Sequence, residues 1–145
     1  MALADVIDKV IDIVNNDVTL KGVYFGDQMS YSAYPVACVG VGEDFLLNEN
    51  FPVIAQYAVH DEQYTIGIVI MVEFADTLAN AKLIMSLTET MRNALRADMK
   101  PPLEPLGGYC YLSEMGKTKF LLGSKGEKPI RFSVTLVNYI KRMGP

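Results

Sequence analysis

Apolar residues at the start of the chain recur with the period of a helix. Leu3, Val6, Ile7, Val10, Ile11 and Val14 fall at i, i+3, i+4, i+7, i+8 and i+11, which is one stripe on a helical surface. Asp5, Asp8, Lys9 and Asp12 take the other face, and Asn15-Asn16-Asp17 offers an end. The pattern predicts a helix over about Ala2–Asn15. The period changes to two between Glu62 and Phe74. There Tyr64, Ile66, Ile68, Ile70, Val72 and Phe74 alternate with Thr65, Gly67, Val69, Met71 and Glu73. The first set is uniformly large and apolar and should face a core. The second set is half apolar, so a second helix layer or a neighbouring subunit is expected to cover part of it.

Shorter runs fill in the remaining elements. Val23-Tyr24-Phe25 reads as a strand that turns at Gly26-Asp27. Tyr34 to Val41 reads as another, rich in β-branched residues, with Pro35 at its start or on an edge. Val53 to Val59 and Tyr109 to Leu112 are further strands. In the last strand, Ile130 to Lys141, Phe132, Val134, Leu136 and Ile140 point one way. Arg131, Ser133, Thr135 and Lys141 point the other, with Val137 and Tyr139. A second helix should begin at Asp76-Thr77, either of which can cap it. Its expected buried stripe is Leu83, Ile84, Leu87, Met91, Ala94 and Leu95, with Lys82, Ser86, Glu89, Asn93 and Arg96 turned away. Pro101-Pro102 closes it by Lys100.

Two stretches are composed like loops. Gly42 to Pro52 is acidic, with Glu43, Asp44 and Glu49, but interleaves Phe45, Leu46, Leu47 and Phe51. Large apolar groups in such a setting either mark an interface or fold back onto the chain's own core. Met115 to Pro129 carries Lys117, Lys119, Lys125 and Lys128 with three glycines and reads as a hairpin tip or mobile loop. It is the chain's one basic patch, with a single flanking aromatic, Phe120; the readings are a plain solvated loop or a tip that docks on an acidic partner surface, and a nucleic-acid site built from it would be weak.

Strands grouped around one helix, after a leading helix, predict an α+β fold with a mixed, mostly antiparallel sheet flanked by two α-helices. The 145 residues suffice for one domain, residues 1–145. Half of them are hydrophobic and 21% charged, the balance of a folded protein. A net charge of −4 makes the chain a poor phosphate-gripping protein. The N-terminal segment has no basic region of a signal peptide, and Tyr64 to Phe74 is too short to cross a bilayer, so synthesis in the cytoplasm is expected.

Candidate chemistry is sparse. His60 is the sole histidine and neighbours Asp61, but adjacent residues on an extended chain face opposite ways and form no dyad. Cys38 and Cys110 lie in apolar, strand-like segments without a nucleophile signature and are expected to be buried thiols. Gly40-Val41-Gly42 lacks the third glycine of a dinucleotide fingerprint, since position 45 is Phe. The acidic residues lack calcium-loop spacing. No catalytic residue, metal or cofactor is expected.

Taken together, the order of elements and several short strings resemble the tail terminator (tail completion, or minor tail) proteins of long-tailed bacteriophages. The strings are Val23-Tyr24-Phe25-Gly26-Asp27, Tyr34-Pro35-Val36-Ala37-Cys38-Val39-Gly40 and Ile66-Gly67-Ile68-Val69-Ile70-Met71-Val72. Pro105-Leu106-Gly107-Gly108 and Phe132-Ser133-Val134-Thr135-Leu136-Val137 follow the long helix. The resemblance spans roughly residues 3–141. It implies a hexameric ring that caps the head-proximal end of the tail tube, stops tube polymerisation and offers a docking surface to the head connector. It also implies residence in the virion, with DNA passing through the lumen without specific binding, and carries no catalytic residues. On that expectation Phe45, Leu46, Leu47, Phe51, Val69 and Met71 supply contacts between subunits. Lys117, Lys119, Lys125 and Lys128 meet an axial neighbour, and Glu43, Asp44 and Glu49 are candidates for an acidic lumen. The alternatives are another head–tail joining or neck protein, a non-viral small-ligand binding module with a well-formed pocket, and an enzyme using Cys38 or Cys110.

Overall fold

A computed structural model describes residues 2–26, 28, 31–41, 55–57, 61–99, 105–108, 110 and 112–142. Its elements in chain order are α1 (Ala2–Asp17), β1 (Gly22–Phe25), β2 (Val36–Val41), β3 (Ala55–Tyr57) and β4 (Asp61–Glu73). They are followed by α2 (Leu78–Met99), a tight turn at Pro105–Gly108, β5 (Leu112–Lys125) and β6 (Lys128–Arg142). The sheet runs β1-β2-β4-β6-β5, with β3 paired to β4. Only β1 and β2 are parallel; every other pairing is antiparallel. The fold is therefore α+β, with a mixed, mostly antiparallel sheet and two helices.

β4 is the spine. One flank pairs with β6 along its full length, and the other is shared by β2 at Ile66–Met71 and β3 at Glu62–Tyr64. A central strand is covered on both faces, which explains why its sequence is apolar on both. Tyr64, Ile66, Ile68, Ile70 and Val72 pack under both helices, together with Val6, Val10 and Val14 of α1 and Ile84, Met91 and Leu95 of α2.

α2 starts where its capping chemistry places it. The Asn80 N–H donates to Thr77 Oγ1 at 3.1 Å. The Asn80 side chain then accepts from the Ala75 N–H and the Arg131 Nε, and donates to the Glu73 carbonyl. One amide thus ties the first helical turn to the ends of β4 and β6. The buried positions of α2 are Ile84, Thr88, Met91 and Leu95. Leu83, expected inside, is 42% exposed. The stripe is rotated because β6 presents Ser133 beneath the helix, and the Thr88 and Ser133 hydroxyls meet at 2.7 Å.

The stretch from Met115 to Pro129 is mostly strand. β5 pairs with β6 from Leu112 to Lys125, and only Gly126-Glu127 forms the turn. Gly126 has φ +63°, at the turn position where a two-residue hairpin of the II′ kind uses glycine. A register shift between Met115 and Thr118 marks a bulge, and Gly116 there lies so close to β6 that a Cβ would sit 2.7 Å from the Leu136 carbonyl oxygen.

Candidate assembly surface

The second face of the sheet has its own cover. Val36, Cys38, Val69, Met71, Ile130 and Val134 form a separate buried cluster, closed by Tyr31 and flanked by Tyr24, Tyr34 and Phe132. Tyr31 stacks 5.1 Å from Tyr24 and 6.0 Å from Tyr34. Its hydroxyl lies 3.2 Å from Cys38 Sγ and accepts from the Gln28 N–H at 2.9 Å. Val69 and Met71 are 0% exposed. This corrects the expectation that these two contact a neighbouring subunit: tyrosines from the β1–β2 connection already bury them.

The basic hairpin divides in the same way. Lys125 Nζ lies 6.0 Å from the Tyr31 ring centre and Lys128 Nζ 5.8 Å from that of Tyr34, at the outer range of cation–π attraction. Lys128 also lies 3.6 Å from Glu73. These two lysines flank the tip of the β5–β6 hairpin, the first of the two readings of this stretch, and their ammonium groups lie against tyrosines of the β1–β2 connection. Lys117 and Lys119 are exposed on β5.

Among the described residues, β5 carries three exposed large apolar side chains in a row, Phe120, Leu121 and Leu122. It is a terminal strand of the sheet, and no described strand pairs with its outer edge. α2 lies over β4 and β6 and meets β5 through Arg92 at Gly116 and Thr118, leaving the later part of β5 less covered. Phe120 and Leu122, which register with Ser133 and Arg131 on the helix side, are therefore 49% and 66% exposed. Met85 of α2 stands beside them, 55% exposed, and Leu121 emerges on the opposite face. Two shallow hollows of about 140 and 320 Å³ join along this line, the first at Ile84, Phe120 and Leu122 and the second at Met85, Arg92 and Phe120. Patches of this kind on a polar-rimmed surface mark interaction sites.

The second hollow is also lined by charged residues of α2: Glu89, Arg92 and Arg96. Arg92 donates to the Gly116 carbonyl at 3.0 Å and to Thr118 Oγ1 at 2.7 Å, both neutral acceptors. Partial burial, and then the neighbouring Arg96, hold its pKa below the ordinary arginine value. Among the described residues neither guanidinium forms an ion pair. Under Arg92, Thr118 also meets Thr135 at 2.8 Å. The polar side of β6 thus faces the helices through paired hydroxyls.

Phe45, Leu46, Leu47, Phe51, Glu43, Asp44, Glu49 and His60 lie outside the described residues. Cys38 and Cys110 are buried and form no disulfide with each other. Among the described residues, no group of three or more His, Cys, Asp or Glu side chains could hold a metal. No helix there is long and apolar enough to cross a membrane. The surface built by Phe120, Leu121, Leu122 and Met85 was not singled out from the sequence. Its signal was the run Phe120-Leu121-Leu122: on a strand, three large apolar residues in a row must put at least one on each face. Neither a known family model nor a curated protein matches the chain.

Proposed function

We propose that this chain is a structural ring subunit of a long-tailed bacteriophage virion. On this reading it caps the head-proximal end of the tail tube, stops its polymerisation and gives the head connector a docking surface. The observation that carries the reading is the exposure of Phe120, Leu121 and Leu122 on β5, whose outer edge pairs with no strand among the described residues. A long, apolar edge strand without a cover is a template for association. The other terminal strand, β1, is a different surface, short and ending in Phe25, which is 52% exposed. Two unlike edges on one subunit suit head-to-tail contacts, and those generate rings when the rotation closes. The acidic balance of the chain suits a lumen through which DNA slides without being held. Lys117 and Lys119 stand on the exposed surface of β5, where an axial partner such as the tube protein would meet them.

The test is electron microscopy of polymerising tail tubes with gold-labelled protein. The reading expects label at one end of each tube and no growth from that end. Label along the tube wall, or labelled ends that continue to grow, would exclude a terminator. Label on the connector and never on the tube would favour a neck protein of the same virion.

A further inference from the structure

The helix layer of the subunit leaves the last strand of the sheet partly bare. α1 lies over β1 and β2, and α2 over β4 and β6, while Phe120 and Leu122 stand exposed on the helix side of β5. At the other end of the sheet, no described strand pairs with the outer edge of β1. Val23 packs into the core beneath the helices and Tyr24 into the cluster on the opposite face. Alternation then puts the exposed Phe25 on the helix side. We propose that the β5 edge of one copy pairs antiparallel with the β1 edge of the next, so that one sheet runs on from subunit to subunit. This rests on the ring reading above and names the contact that builds the ring.

Direction, length and register select this partner strand. β1 runs parallel to β2, and each step from β2 through β4 and β6 to β5 reverses direction. A head-to-tail contact that carries the sheet on therefore sets β5 and β1 antiparallel. The early part of β5 is guarded against edge pairing by the bulge at Gly116 and the charges of Lys117 and Lys119. That leaves Phe120-Leu121-Leu122-Gly123, a match in length for the 4 residues of β1. Residues directly opposite one another share a face. The pairs Phe25–Phe120, Tyr24–Leu121, Val23–Leu122 and Gly22–Gly123 meet that condition at every position. A slip of one residue turns the apolar side chains to opposite faces. A slip of two either sets Phe25 against Thr118 and Tyr24 against Lys119, or carries Phe120 past the end of β1.

The joined sheet also supplies the missing cover. α1 of the next copy, seated over its own β1, comes to lie beside α2 across the bare part of β5, against Phe120, Leu122 and Met85. α1 carries Asp5, Asp8, Asp12 and Asp17 with the single Lys9. The side of α2 that lines the gap carries Arg92 and Arg96 with Glu89. The two helices thus approach with opposite net charge, which favours this neighbour over a second α2.

The experiment mixes Phe25→Cys with Phe120→Cys in the assembled state, beside tail tubes, under a mild oxidant. Directly opposite residues on antiparallel strands have Cα atoms about 4.5–5.5 Å apart, within reach of a disulfide. Both positions are exposed, so neither change empties the core, and the buried Cys38 and Cys110 do not compete. A disulfide dimer should form in the mixture and in neither variant alone. A chain carrying both cysteines should give a ladder of covalent oligomers, because four strand spacings, about 19 Å, keep its own pair apart. Faster linking of Phe25→Cys with Leu122→Cys would overturn the register. A Leu121→Cys variant that links to itself would mean that β5 pairs with β5 about a two-fold axis, and the proposal would fall. Rings that form while the mixture gives no link would overturn the edge contact and leave the ring reading standing. If the protein stays monomeric at high concentration and beside tail tubes, the ring reading and this inference both fall.

Discussion

Replacing Tyr139 with Phe should make the protein more stable. Tyr139 is fully enclosed on β6, on the helix side of the sheet, and its hydroxyl has no hydrogen-bond partner among the described residues. A buried hydroxyl left unpartnered costs about 1–3 kcal/mol. Removing the oxygen relieves that cost and forfeits only a few dispersion contacts of about 0.1–0.2 kcal/mol each. The net expectation is a gain of about 1 kcal/mol, or about 3–4 °C in Tm for a chain of this size. The same site predicts a pH signature. Burial, with smaller contributions from Asp98 and Cys110, pushes the Tyr139 phenol far above its ordinary pKa. Below about pH 10, the ordinary value, the phenol is neutral in folded and unfolded chains alike and its contribution is constant. Above that pH the unfolded chain releases a proton that the folded chain keeps, so stability falls as pH rises. The slope approaches about 1.4 kcal/mol per pH unit. Urea unfolding of both proteins from pH 8 to 11.5 isolates the difference, because the other tyrosines titrate in both. The gap between Tyr139→Phe and the parent should widen above pH 10. A variant less stable by 1 kcal/mol or more, with parallel pH curves, would mean that the hydroxyl is hydrogen-bonded, and the reasoning would fail.

Three other outcomes follow from the packing. Thr88→Val strands the Ser133 hydroxyl against an apolar helix and should cost about 1–2 kcal/mol; adding Ser133→Ala should recover much of it, and additive losses in a denaturant titration would refute the pair. Gly116→Ala forces a Cβ onto the Leu136 carbonyl oxygen and should cost about 2 kcal/mol, read as a lower urea midpoint. Cys38 and Cys110 should resist dithiobisnitrobenzoate in the native protein and react together on unfolding; rapid modification of either in the folded state would contradict its burial.

The sequence pattern located both helices and the spine strand because each runs long enough for its period to repeat. β4 gives the clearest case: the set expected inside, from Tyr64 to Val72, lies under the helices. The cover on its other face was harder to read, since Tyr31 and Tyr34 come from a short connection with no period. β5 was hidden for a related reason. A terminal strand tolerates lysines and glycines, because solvent satisfies its outer edge, so its composition resembles that of a loop. Side alternation in β6 was legible, but not its consequence. The polar set, Ser133 and Thr135, faces the helices because Thr88 and Thr118 supply partners. Among the candidate contact residues, Val69 and Met71 had the composition of an interface and the position of a core. Phe120 and Leu122 have the composition of a core and stand exposed, because nothing in a one-dimensional pattern says where a helix layer stops.

The most direct test of a ring built from this chain is its mass and symmetry in solution. Sedimentation and class-averaged electron micrographs of the purified protein, alone and beside tail tubes, should show closed rings of one subunit number, six on the resemblance to tail terminators, that dissociate when Leu122 is replaced by Glu while the monomer stays folded. A protein that remains monomeric at high concentration and with tubes present, or rings untouched by Leu122→Glu, would contradict the account.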